Sequence, residues 1–250
     1  MNLLTNNKNE VYRSAAGVLS VTLTATWFSP ETIGCVALPY CNFSSGATMR
    51  VRLYSDAACT TQLLDSGTVL CSQGAGAKVA MLTAAQSASA YSYGGGTNAT
   101  VWVTPTSGVQ GIKIDLVDTG NLQNYLEAVR LVVGAYFSPQ YQAEYGASLS
   151  LEDTTNNFRT DAGNLLSDIG TRNKKLSFTL SFLMPADRAA LWDLVKYVGK
   201  SQPVFLSLFP GNADAKLESN HTIYGKFTNV SVIAASQYQI YSAPLELEGI

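Results

Sequence analysis

From Gly17 onward the chain alternates apolar and polar positions. Leu19, Val21, Leu23, Ala25 and Trp27 take one face and Ser20, Thr22, Thr24 and Thr26 the other, the period of a half-buried strand. The period returns at ATMRVRLY, with Ala47, Met49, Val51 and Leu53 inward and Thr48, Arg50, Arg52 and Tyr54 outward. Short strands are predicted at Ala99–Val103 and Ile112–Leu116, separated by the polar turn TPTSGVQG. An Ala-, Ser- and Gly-rich stretch precedes them, from about Gln73 and ending in SYGGGTNAT, which reads as a long loop or a short element with a flexible turn. After a turn at Asp118–Asn121, the stretch YLEAVRLVVGAYFSP (125–139) begins half-polar and becomes wholly apolar. It reads as a last major strand, YLEAVRL, whose continuation leaves the first module, with Tyr136 and Phe137 packing at the junction.

The segment EDTTNNFRT is polar and reads as a connection, with a second region starting near Asp161. There Leu176, Phe178, Leu180 and Phe182 alternate with Ser177, Thr179 and Ser181, predicting a strand that buries one face. The stretch PADRAALWDLVKYVGKSQP predicts an amphipathic helix. Pro185 suits its first turn, Leu191, Leu194, Val195 and Val198 form the apolar stripe, and Gly199 ends it. Strands around Val204–Leu206, Ile223–Phe227 and Gln239–Leu247 complete a module that is mainly β.

Composition narrows the function classes. Charged residues are 14% of the 250, against about 25% in ordinary globular domains, while 13 are tyrosines. A surface so poor in charge is either covered or faces sugar. The net charge is −2 and no basic run exceeds Lys174–Lys175, which speaks against nucleic acid as a partner. No stretch approaches the roughly 18 apolar residues of a membrane span, and MNLLTNNKNEVYRS lacks a continuous apolar segment, so a soluble protein made in a cytoplasm is expected.

Chemistry is thinly supplied. The four cysteines, Cys35, Cys41, Cys59 and Cys71, follow C-x5-C-x17-C-x11-C, without C-x-x-C or a nearby histidine. Buried thiols are the first reading, disulfides the second, and structural zinc is weakly supported. His221, the single histidine, lies in the polar turn ESNHTIYG, and no G-x-S-x-G elbow accompanies it. Asp115, Asp118 and Glu127 are the carboxylates closest to a glycosidase-like pair, though each also suits a structural role. No catalytic residue, cofactor or metal site is expected. Trp27 and Trp102 lie on apolar faces and read as core, whereas Tyr91 and Tyr93, on a loop ill-suited to bury them, are candidate carbohydrate or partner contacts.

Two resemblances add to this reading. ATVWV followed by GIKIDLVDTGNLQNYLEAVRLVVGAYF resembles the closing strands of the galactose-binding-like, discoidin-type β-sandwich. Tyr125, Glu127, Ala128, Arg130 and Leu131 match its pattern, and Asn124 stands where a glycine is usual. Over about residues 170–250, SFTLSFLMPADRAALWDLVKYVGKSQPVFLSLFPG, TIYGKFTNVSV and YSAPLELEGI are similar to tail-tip and distal-tail structural proteins of tailed bacteriophages. That resemblance implies a non-enzymatic virion protein, made in the host cytoplasm, that forms a ring of its own copies and contacts other tail proteins. A carbohydrate-binding module for attachment to a host surface glycan is the alternative. The expected fold is mainly β: a jelly-roll-like antiparallel β-sandwich over residues 1–145, then a small β-rich module over 146–250 with one amphipathic helix near 185–199.

Overall fold

Two very long strands organise the first half of the chain. The computed structural model describes residues 2–5, 7–72, 91, 95–212, 214–229 and 232–250. These fall into two units: one drawn from residues 1–88, 95–136 and 210–219, the other from 89–94, 137–209 and 220–250. The first contains β1 (Tyr12–Arg13), β2 (Ser20–Cys41), β3 (Thr48–Tyr54), β4 (Gln62–Leu70), β5 (Thr97–Val117), β6 (Glu127–Ala128) and β7 (Val132–Gly134).

β2 and β5 run antiparallel from Ser20↔Val117 to Cys41↔Thr97, with register shifts between Thr26 and Glu31, Glu31 and Ile33, and Ile33 and Cys35. Extra residues at such bulges bend a strand, which lets one strand serve two layers of a sandwich. At one end β5 carries β3, which carries β4; at the other β2 carries β7 and meets β6. Leu23, Met49, Val51, Leu53, Ile112 and Ile114 from the first end share one core with Ile33, Val36, Leu38, Val101 and Leu126 from the second.

Three sequence expectations change here. TPTSGVQG is not a turn between short strands, because β5 passes through it and absorbs the irregularity as bulges. YLEAVRL is not one strand either. Asn42 intercepts its backbone, donating from Nδ2 to the Tyr125 carbonyl and accepting from the Glu127 N–H, so only the two residues of β6 pair as strand. Tyr54, read as outward, is buried beside a register shift at Leu53.

The second unit holds β8 (Ser148–Asp153), β9 (Asn156–Arg159), β10 (Leu165–Asp168), β11 (Arg172–Leu183), α1 (Pro185–Val198) and β12 (Val204–Ser207). It continues with β13 (Thr222–Phe227), β14 (Ala234–Gln237) and β15 (Ile240–Gly249), while the short helix α2 (Ala215–Asn220), between β12 and β13 in the chain, belongs to the first unit up to Ser219. Its main sheet is antiparallel, in the order β12-β13-β15-β11-β8, with β14 also on β15. α1 buries Leu191, Val195 and Val198 in a cluster with Leu176, Phe178, Leu180, Leu183 and Leu247. Gly199, at φ +53°, ends the helix by donating its N–H to the Val195 carbonyl. α2 has only six residues, too few to show a periodic stripe; Asp214 starts it by accepting the N–H groups of Lys216 and Leu217.

The expected one-face pattern of β11 holds through Leu180 and then fails. Leu180 pairs with Ala243 and Leu183 with Tyr241, so Ser181 and Phe182 form a bulge, which leaves Phe182 53% exposed and turns Leu183 fully inward. A two-residue period cannot anticipate a bulge, because a bulge is set by the partner strand.

The units divide between Tyr136 and Phe137 rather than near residue 145. Tyr136 belongs to the first, where its ring meets Trp102 edge-on with centroids 5.6 Å apart. A Cβ on Gly34 would lie 2.7 Å from that ring, so glycine is what lets Tyr136 lie across β2. Phe137 packs against the core of the second unit. Each aromatic therefore anchors its own unit. Tyr136→Ala and Phe137→Ala should each cost about 2 kcal/mol. Hydrogen exchange should speed up around Cys35 and Trp102 in the first variant and around Leu176–Leu180 in the second; faster exchange in the same strands for both would contradict this assignment.

Candidate functional surfaces

The aromatic candidates separate. Tyr91 is 4% exposed, so it presents no ring to solvent, correcting the expectation that its loop could not bury it; Tyr93 lies outside the described residues. Trp102 sits on β5 opposite Cys35, half-buried against Tyr136, and its indole N–H donates to Glu218 on α2 at 3.3 Å. Trp27 packs on the first core, as its strand face predicts.

The three carboxylates do not converge. Asp115 accepts from Thr22 and pairs with Arg52 on the outer face of the sheet. Asp118 is buried at a turn, where the Ser44 N–H and hydroxyl and the Asn121 amide satisfy it. Glu127 is buried against Arg13 at 2.5 Å, and that guanidinium also lies over the Tyr125 ring. Each carboxylate is thus held by a structural partner, with a separate one for each. His221 packs edge-on against Phe209, centroids 5.1 Å apart.

All four cysteines are free and buried. Burial pushes the Cys35 thiol up to about 12, helped by the negative charge of Glu218, and Cys71 also up to about 12, with Asp118 adding to the effect. Burial raises Cys41 further. Among the described residues no group of three His, Cys, Asp or Glu stands close enough to hold a metal ion. An open groove of about 520 Å³ in the second unit is lined, among the described residues, by Ser177, Lys200, Asn229, Val232, Pro244 and Glu246.

The largest feature that sequence reading missed is an arm. β8 pairs with β11 from Ser148↔Ser177 to Asp153↔Arg172, and β9 pairs with β10 from Asn156↔Asp168 to Arg159↔Leu165, giving one long hairpin. Its tip is Thr160–Asn164, where Gly163 at φ +81° donates to the Thr160 carbonyl. β15 joins β11 only from Lys175 onward, so from there to the tip the hairpin is two-stranded and spans roughly 30 Å. Every residue of β8, β9 and β10 is exposed, including Leu149, Leu151, Phe158, Leu165 and Leu166, with Ile169 beside them. The signal was present in the alternating SLSLED and the turn DAGN, but EDTTNNFRT masked it as a connection.

No family model matches the chain, and a search of curated proteins also gives no match. Among solved structures, a match is CBM32-1 from a family 31 glycoside hydrolase of Clostridium perfringens. It is 11% identical, with a TM-score of 0.34, and covers 54% of this chain and 82% of that one. A superposition that loose transfers neither ligand nor role. The class of the protein rests on its own strands: mainly β, with antiparallel sheets, a sandwich in the first unit and a sheet backed by one main helix in the second.

Lys174 offers a test of the second unit. Its ammonium donates to the carbonyls of Asn220 and Thr222, both at 3.0 Å, and burial lowers its pKa to about 8 from 10.5. Between those values the unfolded chain binds more protons than the folded one, so this group makes stability rise with pH above about 8; below it, the penalty for burying the charge is present in full. In denaturant titrations at pH 7 and 9.5, Lys174→Met should remove part of the wild-type rise. An identical pH dependence in the variant would contradict the burial of this ammonium.

Proposed function

We propose that this chain is a non-enzymatic structural protein of a tailed-phage virion, which assembles with copies of itself at the tail tip and carries the receptor-binding parts. The observation that carries the reading is the arm of the second unit. An isolated two-stranded hairpin is marginal in water, and its apolar residues stay wet unless another chain covers them. The outer edge of β8 adds to this. Ser148–Leu151 contains no charge, proline or bulge, the devices that commonly keep sheet edges from pairing.

The main sheet ends in β8 on one side and β12 on the other. Two different edges meeting between identical chains make a head-to-tail contact, and such contacts close into rings when the rotation allows. Low charge and abundant tyrosine suit a protein largely covered by neighbours. The resemblance of residues 170–250 to tail-tip proteins points the same way and supplies the tail partners and the virion setting. Neither nucleic acid nor an enzymatic substrate enters this reading. Display of a sugar-binding surface on the virion is the second reading, and the half-exposed Phe182 of β11, whose ring meets that of the half-exposed Tyr141, favours it.

Phe158 and Leu166 face each other directly across the arm. Light scattering over a concentration series should give a closed oligomer for the wild type. Changing both residues to Ser should weaken self-association about 10-fold or more while leaving the circular dichroism spectrum unchanged. A wild-type protein that remains monomeric at every concentration, or a double variant that assembles equally well, would contradict the reading.

A further inference from the structure

The bulge in β11 creates a surface that the assembly reading does not use. Leu180 and Leu183 both point into the core, so the two residues between them are both available to the opposite side. Ser181 donates its hydroxyl to Glu144, and the Phe182 ring lies against Tyr141 with centroids 6.4 Å apart and planes at 64°. The segment carrying Tyr141 and Glu144 is fixed from several points. The Glu144 N–H donates to the Thr179 carbonyl at 2.9 Å, the Gln140 N–H donates to Asp187 at 3.2 Å, and Phe137, Ala143 and Ala147 pack on the core beneath. Outward from this anchored segment stand Tyr141 and Phe182, each about half exposed.

We propose that Tyr141, Phe182 and Glu144 form a binding platform for a neutral hexopyranose residue of a glycan. The apolar C–H face of such a ring stacks on exposed aromatic faces, and its hydroxyls are donors to a carboxylate. Glu144 has one short hydrogen bond from Ser181 and, among the described residues, no cationic partner. That distinguishes a sugar from a protein partner: covering this carboxylate with an apolar protein surface would strand a desolvated charge, whereas sugar hydroxyls satisfy it and leave the neighbouring aromatics to stack. The same negative charge selects against acidic sugars. The anchored backbone preorganises the platform, so little ordering is needed on binding.

The test is saturation-transfer NMR on the full chain with the methyl glycosides of glucose, galactose, mannose and N-acetylglucosamine, run beside light scattering. At least one glycoside should give a signal, weakened about 10-fold by Tyr141→Ala and by Glu144→Gln. Phe182→Ala, a change at a half-exposed side chain, should also weaken it, and Tyr197→Ala, at an exposed tyrosine of α1 outside the platform, should leave it unchanged. In all these variants the oligomeric mass should match the wild type, which separates this site from the assembly reading. The absence of signal for all four glycosides, or a signal that survives both Tyr141→Ala and Glu144→Gln, would overturn the proposal. Loss of oligomeric mass in those variants without any sugar signal would also overturn it, and would mark the patch as a protein interface.

Discussion

Backbone N–H and C=O groups along the outer strand of a β-sheet are the constraint on which this molecule turns, because inside a sheet each group has a partner and at the edge it does not. The first unit manages its edges. β1 is only two residues long, with Arg13 pinned to the buried Glu127, and β4 carries Asp65 paired with Arg50. The second unit leaves β8 open and extends it into a two-stranded arm with apolar side chains exposed. The first unit thus has edge strands that are short or carry paired charge, while the second exposes apolar side chains along its edge.

The same logic explains the long paired strands of the first unit. β2 and β5 satisfy each other over nearly their whole length, and the bulges near Thr26–Cys35 let the pair bend and contribute to both layers around one core. Interior close packing then fixes individual residues: Gly34 has no Cβ because the Tyr136 ring occupies that space. The chain continues directly into Phe137, which serves the second core. The apolar end of YLEAVRLVVGAYFSP is therefore two anchors in succession, one for each unit.

Much of the fold was legible where structure is local. The alternation of Leu23, Met49, Val51 and Leu53 marked buried faces correctly, and Pro185, the Leu191–Val195–Val198 stripe and Gly199 marked the helix and its end. What escaped depends on partners distant in sequence. The bulge that exposes Phe182 is set by the register of β11 on β15, the interruption of YLEAVRL by the side chain of Asn42, and the burial of Tyr91 by a fold that loop composition does not reveal. The arm was obscured because its polar turns resemble a linker. Candidate binding chemistry was correspondingly hard to find: the tyrosine-rich composition was visible, but not which tyrosines remain exposed.

Hydrogen exchange at the amides of Ser148–Asp153, measured at high and low protein concentration, tests most directly whether the open edge is an assembly surface. Those amides that do not face β11 should be protected when the protein is concentrated and exchange freely when it is dilute, with protection extending along the arm to Asp168. Free exchange of the same amides in a sample whose mass exceeds one chain would contradict it and place the contact elsewhere.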